Sequence, residues 1–172
     1  CQFEGRYFQL SDVLGVDREL GFSMSTDKYN EMDSKHFILE DIDGEIDFGE
    51  GKSRIYAQGE NYQILNMDGK YSRLVVNSYG KGRSVYFAGL PYSPQNCRIL
   101  LRAIYYAAHQ EEEMKKFYVT NVDTELAVFE KTGKIAVISN SKEPKTTELY
   151  VHGKLVQELH MEPMEMRWIQ NE

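Results

Sequence analysis

A chain of 172 residues with 41% hydrophobic and 27% charged residues has room for one medium domain or two small ones, each with a buried core. Its formal net charge of −7, with no Lys/Arg run longer than a pair, lacks the electrostatic footprint of a phosphate-backbone binder, so nucleic acid is excluded as a partner. No apolar run approaches the roughly 20 residues that cross a bilayer, and no charged and then apolar leader opens the chain. It reads as soluble and cytoplasmic, with no membrane partner.

The chain opens on Cys1 and runs straight into folded-looking sequence, CQFEGRYFQLSDVLG. A lipoprotein anchor would place a flexible polar tether after its cysteine, and Phe3, Tyr7, Phe8 and Leu10 are the wrong composition for one. An N-terminal-cysteine amidohydrolase would use the free amine as its base, and no second element is committed to that chemistry. Residue 1 is therefore read as a cut within a longer polypeptide. Phe8 to Leu14 carries apolar residues at helical spacing and stops at Gly15, which predicts a short helix with a glycine C-cap. STDKYNEMDSK after it is polar and without period, a surface loop.

From His36 the pattern turns to short extended segments, HFILEDI, SRIYAQ, YQILNM, SRLVVNSY and RSVYFAGL. Asp43-Gly44, Gly59-Glu60, Asp68-Gly69 and Gly80-Lys81-Gly82 punctuate them as tight turns, so an antiparallel-rich region is predicted. Within it, EDIDGEIDFGEGK offers Asp41, Asp43, Asp47 and Glu50 as calcium ligands, but Gly44 comes too early for an EF-hand loop and Ile42 and Ile46 alternate as strand residues do. A hairpin with an acidic outer face is the expected state. Gly80-Lys81-Gly82-Arg83 invites a phosphate-cradle reading. A P-loop needs a longer glycine-rich span ending in Gly-Lys-Ser/Thr at a helix start, whereas strands flank this one, so a turn with two exposed cations is expected. Gly82 is the glycine expected to matter most for its backbone conformation.

Ser93 as N-cap and Pro94 in the first turn open a helix. It is predicted to run about 23 residues, to Lys116, about 35 Å long. Cys97, Leu100, Leu101, Ile104, Ala107 and Ala108 recur at helical spacing. That stripe is expected to pack on the strand Ser84–Leu90, with Cys97 as a small buried hydrophobe. A Cys97–His109 dyad fails, because twelve helical residues separate the pair by roughly 18 Å. His109 with Glu111, Glu112 and Glu113 lacks the second histidine of a zinc-protease spacing.

Beyond Phe117, TELAVFEK, KIAVISNS, TTELYVHG, KLVQELHM and MEMRWIQ are five short extended segments separated by turn signals, the grammar of a small antiparallel β-sandwich or barrel. A module of about 55 residues buries little core alone, so Trp168 and Tyr150 are expected to contact another domain or subunit. The two regions divide as residues 1–116 and 117–172, α/β and then all-β.

Three stretches, GRYFQLSDVLGVDRELGFSMSTDKYN, YGKGRSVYFAGLPYSPQNCRILLRAIYYAAHQEEEMKKFY and PMEMRWIQ, carry a resemblance that spans nearly the whole chain. Together they resemble the C-terminal portion of the 1,3-β-galactosyl-N-acetylhexosamine phosphorylases, also called galacto-N-biose/lacto-N-biose phosphorylases. The resemblance implies that residues 1–116 are the later part of a central glutamine-amidotransferase-like α/β domain, with a small β domain after it. It implies an N-terminal catalytic barrel elsewhere in the same polypeptide, and a homo-oligomer. That parent would be an enzyme using inorganic phosphate to split the β-1,3 bond of lacto-N-biose or galacto-N-biose with inversion, giving α-galactose 1-phosphate. No catalytic, cofactor-binding or metal-ligating residue falls in the segment by this resemblance, and no cofactor is implied. Galactosyl-rhamnose phosphorylases share the architecture, and a self-contained hydrolase with Cys1 as nucleophile is the competing class.

Overall fold

A computed structural model of the chain describes residues 7–19, 31–51 and 54–170. Cys1, most of the predicted loop after Arg18 and the two C-terminal residues lie outside them. Two compact units are present, one up to His109 and one from Gln110 onward; both are rich in β-sheet.

The first unit is built on an antiparallel meander of β3 (Tyr62–Asp68), β4 (Tyr71–Tyr79) and β5 (Gly82–Phe87). Two-residue loops join them, and each loop begins with a glycine at positive φ, Gly69 at 56° and Gly80 at 58°. The glycine with the demanding backbone is therefore Gly80. Gly82 has an ordinary φ, and a Cβ there would meet only the Tyr79 carbonyl oxygen at 3.6 Å. β4 is buried on both faces. Leu74 and Val76 enter one core with Ile38, Phe48, Leu65 and Ile99, while Val75 enters a second with Val16, Ile55, Ile64 and Tyr86. The second core is closed by α1 (Ser11–Leu14), whose C-cap Gly15 is left-handed as predicted, and by β1 (Val16–Arg18) paired antiparallel to β2 (Ile55–Ala57). β1 was not predicted, because Val-Asp-Arg carries no strand signal of its own. Asp17 is fixed there by its surroundings, its buried carboxylate accepting the backbone N–H groups of Tyr7, Phe8 and Arg18.

HFILEDI is not a strand, and the acidic hairpin expected at Asp43-Gly44 does not form. Phe37–Leu39 is a 3-10 turn, which His36 caps by accepting the Ile38 N–H at Nδ1 (3.2 Å). The chain then crosses the first core irregularly, burying Ile38, Ile46 and Phe48.

The predicted long helix is two. α2 (Pro94–Ala107) starts as expected, with Ser93 Oγ accepting the Asn96 N–H, and α3 (Glu111–Lys116) follows after a break at His109, where φ is 57°. The charges beyond the break suit a separate helix, with Glu111–Glu113 in its first turn and Lys115 and Lys116 in its last. The expected packing of α2 is also reversed. Asn96, Arg98, Ile99, Arg102 and Ala103 face the core, while Cys97, Leu100, Leu101 and Ile104 are exposed.

In the second unit β6 (Phe117–Val119), β9 (Lys145–Val151) and β10 (Lys154–Met161) form one antiparallel sheet. β7 (Thr124–Phe129), β8 (Lys134–Ser139) and β11 (Met166–Gln170) form another. Val119, Ile135, Val137, Leu149, Leu159 and Met161 fill a common core. β6 is the strand the sequence pattern missed. His152 and Gly153, both at positive φ (49° and 74°), make the two-residue turn from β9 to β10.

Candidate functional site

Asp41 takes no part in an oxygen cage. Its Oδ2 receives Arg98 Nη1 at 3.3 Å and also Arg102 Nη2, and Arg102 Nη1 donates to Glu40 Oε2 (3.2 Å) and to the Phe37 carbonyl (2.9 Å). Asp47 is spent locally, with Oδ1 accepting the Gly49 N–H and its carbonyl accepting Asn96 Nδ2. Among the described residues no three His, Cys, Asp or Glu side chains are grouped to hold a metal ion. This arginine–carboxylate cluster went unread because its halves lie about sixty residues apart.

Cys97 and His109 are not brought together. α2 ends at Ala107, already about 15 Å along the axis from Cys97. Lys81 is exposed on the β4–β5 loop, whereas Arg83 donates from Nη1 to the Tyr106 carbonyl and lies over the Tyr106 ring, 4.6 Å from its centroid. One of the two predicted free cations is thus structural.

In the second unit, a surface cleft of about 330 Å³ opens where β6, β8 and the β9–β10 turn converge. Phe117, Phe129 and Val128 give it apolar walls, and Lys116, Lys134, Glu130 and His152 give it polar groups. Its signal in the sequence is faint, because the lining comes from four separate segments. Trp168 is not part of the second unit's core. It stands 54% exposed on the outer face of β11, with its ring 5.5 Å from that of Phe129. Tyr150 stacks on Tyr118 at 4.7 Å and donates to Glu148 Oε2 (3.0 Å), a hydrogen bond that raises its pKa above the ordinary phenol value. Glu165 accepts the Glu162 N–H (2.8 Å) and pairs with Arg167 (2.7 Å). Those two contacts, the backbone one first, hold its carboxyl below the usual range. Burial raises the Tyr86 phenol, partly offset by Arg18 and Arg73. Within the second unit, Tyr150 and Glu165 are thus each engaged with neighbouring groups.

Comparison with known proteins covers both units. Residues 1–112 match the family described as lacto-N-biose phosphorylase central domain, and residues 117–169 match the lacto-N-biose phosphorylase C-terminal domain. A 1,3-beta-galactosyl-N-acetylhexosamine phosphorylase of Lachnoclostridium phytofermentans is 49% identical over 150 residues, covering 87% of this chain and 21% of that protein. A namesake from Bifidobacterium longum subsp. longum is 36% identical over 174 residues, covering 83% and 23% respectively. A D-galactosyl-beta-1->4-L-rhamnose phosphorylase of Lachnoclostridium phytofermentans is 28% identical over 151 residues, covering 86% and 20%. The chain therefore spans about a fifth to a quarter of the length of these relatives.

Proposed function

Because the chain belongs to the lacto-N-biose phosphorylase family, we propose that it is the non-catalytic C-terminal region of an enzyme that phosphorolyses β-1,3-galactosyl-N-acetylhexosamine. The parent would take inorganic phosphate and lacto-N-biose or galacto-N-biose, and release α-galactose 1-phosphate and the N-acetylhexosamine. Residues 1–116 would belong to its amidotransferase-like central domain and residues 117–172 to its C-terminal β domain. The observation that carries the choice of substrate is the gradient of identity, 49% to a galactosyl-N-acetylhexosamine phosphorylase against 28% to a galactosyl-rhamnose one. A structural role is supported by where the polar side chains go. Asp41, Arg98 and Arg102 are engaged with one another, and Asp17 with backbone N–H groups. Phosphorolysis needs an acid and an anion site side by side, and these residues are committed elsewhere.

The test is an assay of galactose 1-phosphate release from galactosyl-β-1,3-N-acetylglucosamine and phosphate, run on the full-length protein and on the 172-residue chain. Release is expected from the first alone. Release from the 172-residue chain, or a full-length protein that prefers galactosyl-rhamnose, would overturn the reading.

A further inference from the structure

α2 is amphipathic in the wrong direction for a finished domain. A surface helix normally buries its apolar stripe and shows charge to water. Here the buried face carries Asn96, Arg98 and Arg102, each with polar partners beneath it, beside only two apolar residues, Ile99 and Ala103. The outward face carries Leu100, Leu101 and Ile104 at 43%, 44% and 58% exposure, together with exposed Cys97. Contiguous apolar exposure of this kind marks a surface that something else covers. A second feature of the same unit agrees. β5 is a terminal strand of its sheet, paired among the described residues only with β4; it has no bulge of the kind free edges usually carry, and its one charged residue, Arg83, is engaged with Tyr106.

We infer that the Cys97–Leu100–Leu101–Ile104 face of α2 is the docking surface for the polypeptide that precedes residue 1 in the full-length protein, with the open edge of β5 available to extend the sheet toward it. This rests on the reading that the chain is part of a longer phosphorylase. The occupant is argued from the length outside the structure. About four fifths of each relative lies beyond the match, and the two matched families are a central and a C-terminal domain, which leaves the remainder on the N-terminal side. An apolar helix face and an open strand edge on one unit are what an α/β layer shows when its neighbouring strands and helices are removed. A second copy of the chain is the alternative occupant, and dilution separates the two.

Cys97 is a built-in probe of the face and requires no substitution. Full-length protein and the 172-residue chain are labelled with N-ethylmaleimide at micromolar and at nanomolar protein concentration. Modification is read by mass spectrometry on the tryptic peptide Ser84–Arg98. The expected result is labelling about 100-fold slower in the full-length protein than in the 172-residue chain, with the same ratio at both concentrations. Equal rates in the two proteins, or a Cys97 already protected in the dilute 172-residue chain, would overturn the proposal. Protection of the full-length protein that is lost on dilution would assign the face to a second copy and overturn it equally. Phosphorolysis by the same full-length sample is measured in parallel, so failure of the functional reading is scored separately from failure of docking.

Discussion

Arg102 Nη2 donates to Asp41 Oδ2 in the interior of the first unit, tying α2 to the segment just after the 3-10 turn. Arg102 is 5% exposed and Asp41 21%. Arg98 shares the same carboxylate oxygen.

Removing Asp41 therefore takes a carboxylate partner from two guanidinium groups at once. Breaking a buried pair from one side costs about 3–5 kcal/mol. Because Asp41 keeps some contact with solvent, Asp41→Ala is expected to destabilise the chain by about 3 kcal/mol in urea unfolding. A loss below about 1 kcal/mol would show that water or Glu40 serves the two arginines as well.

The β4–β5 loop separates conformational need from charge. Gly80→Val places a β-branched residue at φ 58° and is expected to cost about 1–3 kcal/mol through backbone strain. Gly82→Ala, which gains only an ordinary contact, and Lys81→Ala are each expected to stay under about 1 kcal/mol. Thermal melts of the three variants give the comparison, and a Gly82 variant worse than the Gly80 one would contradict it.

Gly89 packs against backbone from another part of the chain. A Cβ there would fall 2.3 Å from the Phe48 carbonyl oxygen and 3.0 Å from Gly51 Cα. Neither neighbour is a side chain that can swing away, so Gly89→Ala is expected to cost about 1–3 kcal/mol by overpacking. A melting temperature unchanged in Gly89→Ala would mean the two backbones separate freely.

Two groups in the second unit give opposite dependences on pH. Glu165 has a lowered folded pKa, so its contribution is full above the ordinary glutamate value of 4.5 and is lost as pH falls through the folded value. Tyr150 has a raised one, so its contribution is full below the ordinary value of 10.0 and is lost as pH rises through the folded value. Stability of Glu165→Gln relative to wild type should converge in acid, and Glu148→Gln should return the Tyr150 absorbance midpoint toward 10.0. A gap for Glu165→Gln that persists at low pH, or an unmoved phenol midpoint, would show that the named contacts are not the cause.

What the sequence made legible is the set of elements whose reasons are local. β3, β4 and β5 are bracketed by Asp68-Gly69 and Gly80-Lys81, and the positive φ of Gly69 and Gly80 is the reason those pairs make turns. β7 to β11 were read the same way. The misreadings share a different cause. HFILEDI reads as a short extended segment, but Glu40 and Asp41 are claimed by arginines about sixty residues away. The stripe on α2 was identified correctly and turned the wrong way, because hydrophobicity alone does not reveal that Asn96 finds the Asp47 and Pro91 carbonyls or that Arg102 finds Phe37. No catalytic constellation was predicted in the segment, and the cleft beside Phe129 escaped notice because no single stretch encodes it.

The position of β4 between its two chain neighbours has a kinetic consequence. Its pairings close across two-residue loops, and hairpins of that kind form in about 1–10 μs. The Arg102–Asp41 contact must close a span of 61 residues, whose chain entropy is lost before any return. The meander is therefore expected to form the nucleus and the arginine clamp to lock afterwards. In stopped-flow experiments Val75→Ala should chiefly slow refolding, and Asp41→Ala should chiefly speed unfolding. The reverse assignment would place the clamp in the transition state.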